Sequence, residues 1–441
     1  MKVYKFGGAS VKDADGVRNL QQIVAQESGD LVIVVSAMGK TTNALEAVLA
    51  DLLAGNDEGA QKKWEDILKF HFGIMDGLGF SDELGSEVCG KLGAWWQPRQ
   101  LRDAGVKRVF GNQIGDGSVN SKVANVYERA YDAVVSMGER MSTMIVAAYL
   151  RQCGMDAVLW DMTRLLRTDE TFREAVVDMD ASEKLICKAW DKIDGRKIVV
   201  AQGFIGGTEK GEPTTLGREG SDYSAAIIGN ILGAESVTIW KDVPGILNAD
   251  PRLVSETTKI DELSYNDAVE LAYSGAQVIH PKTIRPLENK HIPLYVKPFG
   301  NAKAAGSIIK DKAKAISVPV YIWRKNQVLI TMRAKDFSFV LEESLSHIFA
   351  IIHRYRLRVS LIQSSAVTIS VCVDNTRYVQ AAIEALQDDY KVSWNEGLSL
   401  LTIRGTTPEI LRREQEGRTI LLSQTTRRTA RFVIKETNLI Q

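Results

Sequence analysis

The chain has 441 residues, and at roughly 100 to 200 residues per domain this length predicts two to four domains. Lys plus Arg and Asp plus Glu each number 55, so the formal net charge is zero and no overall field attracts nucleic acid or an anionic membrane. The sequence contains neither an apolar run of about 18 residues nor a signal-peptide pattern at its start. We therefore expect a cytoplasmic protein with no membrane partner.

The four cysteines and five histidines exclude two further classes of protein. The cysteines, at positions 89, 153, 187 and 372, are far apart and form no CxxC pair, and no histidines show HExxH spacing. The sequence therefore predicts neither a disulfide framework nor a metal ion held by protein side chains.

The first 300 residues predict one α/β domain. Strand-length apolar runs occur at 3–6, 31–35, 198–201, 236–240 and 292–296, with Val17, Leu20, Ile23 and Val24 at helical spacing between the first two. Near-continuous β-branched runs are typical of buried parallel strands. We expect an open, mainly parallel sheet sandwiched by helices. Residues 43–150 are mainly helical in pattern, and we expect them to cover the crevice at the strand ends, where ligands bind.

Beyond residue 300 the pattern changes to α+β. Residues 301–325 are interpreted as a linker and a strand. The next segment, 326–395, spells βαββαβ with strands at 328–334, 359–363, 367–373 and 391–394, which predicts a ferredoxin-like domain. A second copy over 396–441 begins with a strand at 398–405 and stops before its last helix and strand. Residues 316–323 could supply a strand to it. Two small units in tandem suggest a regulatory module.

The end of the first strand carries the first candidate site. Lys5 is followed by Gly7, Gly8 and Ser10 at the start of a helix. Glycines let backbone N–H groups approach an anion, and the helix start adds a positive dipole. The segment predicts phosphate binding. It is not a P-loop, because position 34, where GxxxxGK[ST] requires glycine, is Val34.

A second candidate site lies in TTLGREGSDY at 214–223. Ser221 is predicted to cap the following helix, so that Arg218, the Gly220 backbone and the helix start converge on an anion such as a carboxylate. Two later segments carry charged residues, a loop-like one at 239–252 and another at 264–281. In the last, Ser264 and Asp267 form a predicted capping box, and His280 before a proline is interpreted as a structural residue rather than a base.

Seven motifs in this order resemble those of aspartokinases. They are KFGGAS at 5–10, VVSAMGKTTN at 34–43, SMGERMS at 136–142, QGFIG at 202–206, TTLGREGSDY at 214–223, IWKDVPGILNADPR at 239–252 and GAQVIHP at 275–281. The tail resembles their paired ACT domains, so the resemblance covers essentially the whole chain. It implies an amino-acid-kinase fold and transfer of the ATP γ-phosphoryl group to the β-carboxylate of L-aspartate. The product would be 4-phospho-L-aspartate, the entry to lysine, threonine and methionine synthesis.

The resemblance also implies site residues and a cofactor. Lys5 and Asp222 are the implied catalytic residues, although Asp222 could orient Lys5 or pair with the substrate ammonium group. Mg2+ would be held mainly by the ATP phosphates. The implied aspartate-binding residues are Ser36, Thr42, Glu139, Arg218, Gly220 and Ser221. The implied nucleotide-binding residues are Lys5, Gly7, Gly8, Ser10, Lys241, Asp242, Leu247, Arg252, Gln277 and Val278.

Three residues depart from the family pattern. Ala9 replaces the usual threonine, Glu219 replaces a glycine beside Arg218, and Gln277 replaces a lysine, for which Lys282 is a candidate substitute. The tail departs as well. In lysine-inhibited relatives an aspartate follows the first ACT helix, but Ser360 stands there in this chain, so we expect weak or no inhibition by lysine.

Two alternatives remain open from the sequence. The chain could phosphorylate another carboxylate, or it could be an amino-acid-sensing ACT protein with a lapsed kinase domain. A nucleic-acid reading of the arginine-rich last 40 residues is less favoured than a solvated strand face. The expected partners are aspartate, ATP and a second copy of the chain, in a homodimer or higher homo-oligomer formed through the ACT-like domains, because the incomplete second copy leaves a sheet edge uncovered.

Overall fold

The structure, a computed structural model, describes residues 1–94, 121–254, 256–276, 279–335 and 342–436. These residues form two compact units. The first comprises Met1–Ile246, Lys259–Val269 and Val278–Lys314, and the second comprises Leu247–Thr258, Glu270–Gln277 and Ala315–Gln441. No helix in the described ranges is both long enough and apolar enough to span a bilayer.

Strands and helices alternate up to residue 310. The strands are β1 (Lys2–Phe6), β2 (Leu31–Val35), β3 (Ala157–Leu159), β4 (Ile198–Gln202), β5 (Ile205–Gly207), β6 (Pro213–Thr215), β7 (Ser236–Lys241), β8 (Ile246–Leu247), β9 (Lys259–Ile260), β10 (Glu262–Ser264), β11 (Leu294–Pro298) and β12 (Ser307–Lys310). The helices are α1 (Ala14–Ala25), α2 (Thr41–Leu53), α3 (Asp57–Leu78), α4 (Asp82–Ala94), α5 (Ser121–Val135), α6 (Met137–Gln152), α7 (Met162–Leu165), α8 (Met179–Trp190), α9 (Gly220–Ile231), α10 (Tyr265–Ser274) and α11 (Pro281–Glu288).

A mostly parallel eight-stranded sheet forms the centre of the first unit, which confirms the predicted α/β fold. Its strand order is β10-β12-β11-β7-β1-β2-β4-β3. Strand β1 pairs in parallel with both β2 and β7, which places Lys5 beside Val34 and Ile239. The antiparallel pair in this sheet is β11 with β12. Because β1, β2, β4 and β7 run in one direction, their carboxyl ends and the loops that follow them meet at one edge of the sheet.

Helix burial follows the apolar periodicity of the sequence. Helix α1 is capped by the Asp13 side chain, and it buries the apolar residues predicted from their spacing, Val17, Leu20, Ile23 and Val24. Trp64 of α3 and Met141 of α6 are buried in the same core as the β1 and β2 side chains. The helices α2 to α6 therefore form a second packing layer over this part of the sheet.

The second unit contains a six-stranded sheet of order β14-β15-β13-β16-β18-β17 with antiparallel pairing throughout. Its strands are β13 (Val320–Ala334), β14 (Val359–Ser364), β15 (Thr368–Asp374), β16 (Tyr390–Arg404), β17 (Ile420–Thr425) and β18 (Thr429–Lys435), and its helices are α12 (Glu342–Arg354), α13 (Val379–Gln387) and α14 (Pro408–Gln415). The segment Val320–Arg324 pairs with Leu400–Arg404, so the strand before the first βαββαβ copy adds to the sheet of the second.

Two pairs of predicted strands are single strands in the structure. Prediction separated 316–323 from 328–334, and 391–394 from 398–405, whereas β13 and β16 each continue for 15 residues. The polar stretches between the apolar runs do not end the strands, because β13 and β16 pair with each other along both halves. The pairing shifts register between Arg324 and Leu329, where Asn326 has a φ of 56°, and the strands bend there instead of stopping.

Candidate active site

Lys5 and Asp222 form a buried ion pair at the carboxyl end of β1. The Lys5 Nζ lies 2.6 Å from Asp222 Oδ1, and Lys241 Nζ, at the end of β7, lies 3.5 Å from Oδ2. Only 8% of Lys5 and 3% of Asp222 is exposed. Burial alone would raise the pKa of Asp222, but Lys5 and Lys241 outweigh it and hold that pKa below its ordinary value. Two cations therefore share one carboxylate, and the group keeps a net positive charge.

The glycines after β1 shape the space beside Lys5. The Ser10 N–H donates to Gly7 O and the Gly39 N–H donates to Gly8 O, both at 3.0 Å. A Cβ on Gly8 would lie 2.5 Å from the carbonyl oxygen of Ala37, so the loops after β1 and β2 can pack this closely only around a glycine. A Cβ on Gly7 would lie 3.6 Å from Lys5 Nζ. Glycine thus leaves the approach to the lysine unobstructed.

Glu139 is a buried carboxylate in the first turn of α6. Its Oε1 accepts the Ala37 N–H at 3.3 Å, while its Oε2 is buried with no hydrogen-bond partner. Burial raises the pKa of Glu139 to about 8, although the Ala37 N–H and the charge of Lys5 act in the opposite direction. The unpartnered oxygen is suited to a ligand that brings its own donors and a positive charge.

Gln202 fixes the helix that carries Glu139, and the sequence reasoning did not single it out. Its Nε2 donates to Thr143 Oγ1 at 2.9 Å, and that hydroxyl donates to the Glu139 carbonyl at 2.8 Å. Its Oε1 accepts the Met162 N–H at 2.8 Å. Two signals in the sequence could have identified this residue: it is polar at the end of an otherwise apolar strand, and it is the first residue of the QGFIG motif at 202–206.

The Arg218 turn differs from its predicted geometry. We predicted Ser221 as the helix cap, but α9 begins at Gly220, and Glu219 occupies the capping position with a φ of 54°. The left-handed conformation of Glu219 completes the reversal one residue earlier, so Ser221 is already helical. A Cβ on Gly203 would lie 2.6 Å from Ser221 Cβ, which shows how closely this helix start packs on the loop after β4. Arg218 is exposed at the tip of the turn.

Glycine at Gly220 and glutamate at Glu219 have opposite consequences for this turn. A Cβ on Gly220 would lie 2.8 Å from Phe204 Cδ2, so the position accepts no side chain without movement. Glu219 holds a backbone conformation that costs an ordinary residue about 1 to 2 kcal/mol, and its Oε2 is buried with no hydrogen-bond partner. Glutamate at position 219 therefore strains the turn that carries Arg218.

Ser36 and Thr42 flank the loop after β2. The Ser36 N–H donates to the Phe6 carbonyl at 3.1 Å, which joins this loop to the end of β1. Both side chains are half-buried. The neighbouring Thr41 is buried, and its hydroxyl donates to Met38 O at 2.6 Å, so Thr41 closes the loop while Thr42 keeps its hydroxyl nearer the surface.

The remaining predicted nucleotide contacts are less closely grouped. Asp242 is exposed directly after β7, and Leu247 is half-buried in β8. Arg252 belongs to the second unit, where its guanidinium pairs with Asp250 at 2.6 Å. Gln277 and Val278 lie outside the described residues.

The local hydrogen bonds of Ser264, Asp267 and His280 are those expected of structural residues at helix starts. The Ser264 hydroxyl donates to Asp267 Oδ2 at 2.7 Å and accepts the Asp267 N–H at 3.1 Å, and the second of these bonds is the serine half of the predicted capping box. His280 caps α11, since its Nδ1 accepts the Lys282 N–H at 3.2 Å. In the second unit, Arg324 donates to the Ser360 hydroxyl.

Known proteins match this chain along most of its length. Residues 1–298 match the amino acid kinase family. The chain is similar to lysine-sensitive aspartokinase 3 of Escherichia coli strain K12, with 30% identity over 91% of this chain and 86% of that protein. It is also similar to the chloroplastic aspartokinase 1 of Arabidopsis thaliana, with 30% identity over 91% of this chain and 68% of that one. The solved structure of E. coli aspartokinase III in complex with aspartate and ADP matches with a TM-score of 0.79 and 28% identity, and the match covers 99% of this chain and 96% of that one.

Proposed function

Because the chain belongs to the aspartokinases, within the amino acid kinase family, we infer that it transfers the γ-phosphoryl group of ATP to the β-carboxylate of L-aspartate. The product, 4-phospho-L-aspartate, is a mixed anhydride at the start of lysine, threonine and methionine synthesis. The observation that carries the assignment of roles is the buried Lys5–Asp222 pair, with a second buried carboxylate, Glu139, close enough to feel the charge of Lys5.

Lys5 acts on the phosphoryl group in this proposal. Phosphoryl transfer needs positioning and charge stabilisation more than covalent help, and a cation held in a mostly buried site stabilises developing charge more effectively than one in water. Asp222 directs Lys5, since the two side chains are 2.6 Å apart and form a buried ion pair. Of the two roles left open for Asp222, we propose the orientation of Lys5.

Glu139 and Arg218 bind the two ends of the amino acid. The unpartnered Oε2 of Glu139 receives the substrate ammonium group, which supplies the countercharge that this buried oxygen lacks. Exposed Arg218 offers a planar pair of donors to the α-carboxylate. With both ends held, the β-carboxylate is the nucleophile left to face the phosphoryl group. Ser36, Thr42, Gly220 and Ser221 complete this side of the site.

ATP binds through the loop after β1 and the residues after β7. The Gly7 and Gly8 backbone and Ser10 contact the phosphates, Lys241 adds charge, and Asp242, Leu247, Arg252, Gln277 and Val278 contribute nucleotide contacts. Within the described ranges, no three His, Cys, Asp or Glu side chains are grouped to hold a metal ion. We propose that Mg2+ comes with the nucleotide, bound to its phosphate oxygens, and supplies charge neutralisation there.

A lapsed kinase domain that serves only as a sensor is disfavoured by the state of the site. A chain that no longer performs chemistry has no reason to retain two lysines on a buried aspartate or to bury a carboxylate such as Glu139 at an energetic cost.

Oligomer formation is a separate proposal. Strands β14 and β17 form the edges of the six-stranded sheet, and Leu421 on β17 is exposed, so we propose that a second copy covers this region.

A coupled assay of ADP release tests the proposed reaction. The chain is supplied with Mg-ATP and, in turn, with aspartate, glutamate, N-acetylglutamate and asparagine, and hydroxylamine traps any acyl phosphate as a hydroxamate. We expect ADP and hydroxamate in equal amounts with aspartate alone. Equal turnover of N-acetylglutamate would contradict the proposed recognition of the ammonium group, and equal turnover of glutamate would contradict selection of the aspartate side chain. ATP hydrolysis without hydroxamate would contradict the proposed acceptor.

A further inference from the structure

Asp132 is a fully buried carboxylate to which the reaction described above gives no role. It lies on α5 with no exposed surface. Its Oδ2 accepts the N–H groups of Arg173 and Thr215 at 2.9 and 2.8 Å, and its Oδ1 accepts the Thr215 hydroxyl at 2.7 Å. All of these donors lie at least 41 residues away along the chain. A carboxylate with this many distant partners joins separate segments.

The segments that Asp132 joins lead to both ends of the aspartate site. Thr215 ends β6, three residues before Arg218, and its carbonyl accepts the Ala175 N–H at 3.0 Å. On the other side, the Asp132 carbonyl accepts the Ser136 N–H at 3.1 Å. Ser136 directly precedes α6, whose first turn contains Glu139.

The loop at Arg173 is held against the same helix by a second contact. The Arg173 guanidinium lies 4.3 Å from the centroid of the ring of Tyr131, the residue that precedes Asp132. The backbone of Arg173 has a φ of 69°. A Cβ on Gly217 would lie 3.2 Å from the Arg173 carbonyl oxygen. The Arg218 turn therefore rests on a loop that Asp132 and Tyr131 attach to α5.

We propose that Asp132 is a positioning residue for aspartate binding, which fixes the turn of Arg218 to the helices that carry Glu139. The carboxylate touches neither substrate nor nucleotide. It sets the distance between the group that holds the α-carboxylate and the group that holds the ammonium ion. This inference rests on the proposed function, because it assigns those two roles to Arg218 and Glu139.

The arrangement of donors predicts which substitutions are tolerated. Asparagine can accept both backbone N–H groups on its amide oxygen and donate its NH2 to the Thr215 hydroxyl, which can reverse from donor to acceptor. Asp132→Asn therefore keeps every bond. Leucine has a similar volume and keeps none, and it leaves two buried N–H groups and one hydroxyl without acceptors. The contrast between the two variants isolates hydrogen bonding from packing.

The experiment measures KM for aspartate, KM for ATP, kcat and calorimetric binding of aspartate in Asp132→Leu, Asp132→Asn and a control. The control is Asp30→Leu, because Asp30 likewise accepts a backbone N–H, from Lys197 at 2.9 Å, but lies at the start of the sheet strands, away from the site. We expect Asp132→Leu to raise KM and Kd for aspartate by roughly 10- to 100-fold. We expect KM for ATP to stay within about threefold of wild type in every variant, and Asp132→Asn and Asp30→Leu to stay within about threefold for aspartate.

Three results would overturn the inference. One is an unchanged aspartate affinity in Asp132→Leu, and the second is an equal loss in Asp30→Leu. The third concerns Thr215→Val, a variant that removes a single hydroxyl. It replaces Asp132→Leu in the binding experiment if Asp132→Leu does not fold. Thr215→Val must weaken aspartate binding, because it removes the hydroxyl that donates to Asp132 Oδ1, and an unchanged Kd for aspartate in this variant would count against the proposal. Wild-type chain that binds aspartate without phosphorylating it would contradict the proposed reaction instead, and calorimetry would still decide the role of Asp132.

Discussion

The proposed pairing of Glu139 with the substrate ammonium group gives aspartate binding a pH dependence whose sign follows from the structure. Burial raises the pKa of its carboxyl to about 8 in the substrate-free protein. At pH 7 most chains therefore carry a neutral Glu139. The ammonium group of aspartate requires the ionised form, so binding at pH 7 includes the loss of a proton, which costs about 1.4 kcal/mol for one pH unit below the pKa. KM for aspartate should consequently fall about tenfold between pH 7 and pH 8.5.

The assay is initial-rate ADP release from pH 6 to pH 9 at saturating Mg-ATP, for wild type and for Glu139→Gln. We expect the wild-type KM for aspartate to fall as pH rises and to level off above about pH 8. Glu139→Gln should show a higher KM with no such slope, because glutamine does not titrate and offers no countercharge. Calorimetry at pH 7 in buffers of different ionisation enthalpy should detect net proton release when wild type binds aspartate, and none when the variant binds it. A flat wild-type profile, or the same slope in both proteins, would refute the reasoning.

The same shift fixes the sign of a stability effect. A carboxyl whose pKa is raised by folding binds a proton more tightly in the folded than in the unfolded chain. Its favourable contribution is complete below the ordinary value of 4.5 and is lost as pH rises towards about 8. Glu139→Gln should therefore stabilise the substrate-free protein at pH 8.5 relative to wild type, and denaturant midpoints at pH 5 and pH 8.5 would show the difference growing with pH.

Three further expectations concern Arg218, oligomer formation and inhibition by lysine. Arg218→Ala should raise KM for aspartate by roughly 10- to 100-fold, since a carboxylate loses its two-donor partner, and an unchanged KM in the coupled assay would remove Arg218 from the site. The intact chain should sediment as a dimer or larger assembly at micromolar concentration, because the edges of the six-stranded sheet favour pairing, and a monomer would contradict this. Lysine should inhibit weakly or not at all, because its ammonium group would meet the Ser360 hydroxyl and the Arg324 cation instead of a carboxylate. Half-inhibition by submillimolar lysine in initial-rate assays would overturn that expectation.

Local features of this fold could be predicted because they depend on neighbouring residues. The β1-α1-β2 unit follows from two apolar runs and four apolar residues at helical spacing, and the same residues are buried in the structure. The Ser264 capping box depends on groups three residues apart. In each case the interaction is short-range, so the sequence pattern contains the whole signal.

Features that depend on distant partners could not be obtained in this way. The contact of Asp222 with Lys5, at 2.6 Å, joins residues more than 200 positions apart along the chain, and no sequence pattern contains it. Asp132 and Gln202 were missed for the same reason. The cap at Ser221 was predicted wrongly because a glutamate at position 219 adopts the left-handed conformation that sequence statistics reserve mainly for glycine. The continuous strands β13 and β16 reflect mutual pairing that overrides their polar centres.

We propose that Lys5, held by Asp222 at the end of β1, stabilises the phosphoryl group as it is transferred. This role is tested most directly by kcat for Lys5→Ala, measured with saturating aspartate and Mg-ATP. The control is Lys2→Ala, on the same strand, where the lysine pairs with Glu27 at 2.9 Å. We expect kcat to fall about 100-fold or more in Lys5→Ala, while KM for aspartate stays within about threefold of wild type. Lys2→Ala should turn over aspartate at a near-normal rate. Turnover of aspartate by Lys5→Ala at the wild-type rate would contradict the proposed role of Lys5.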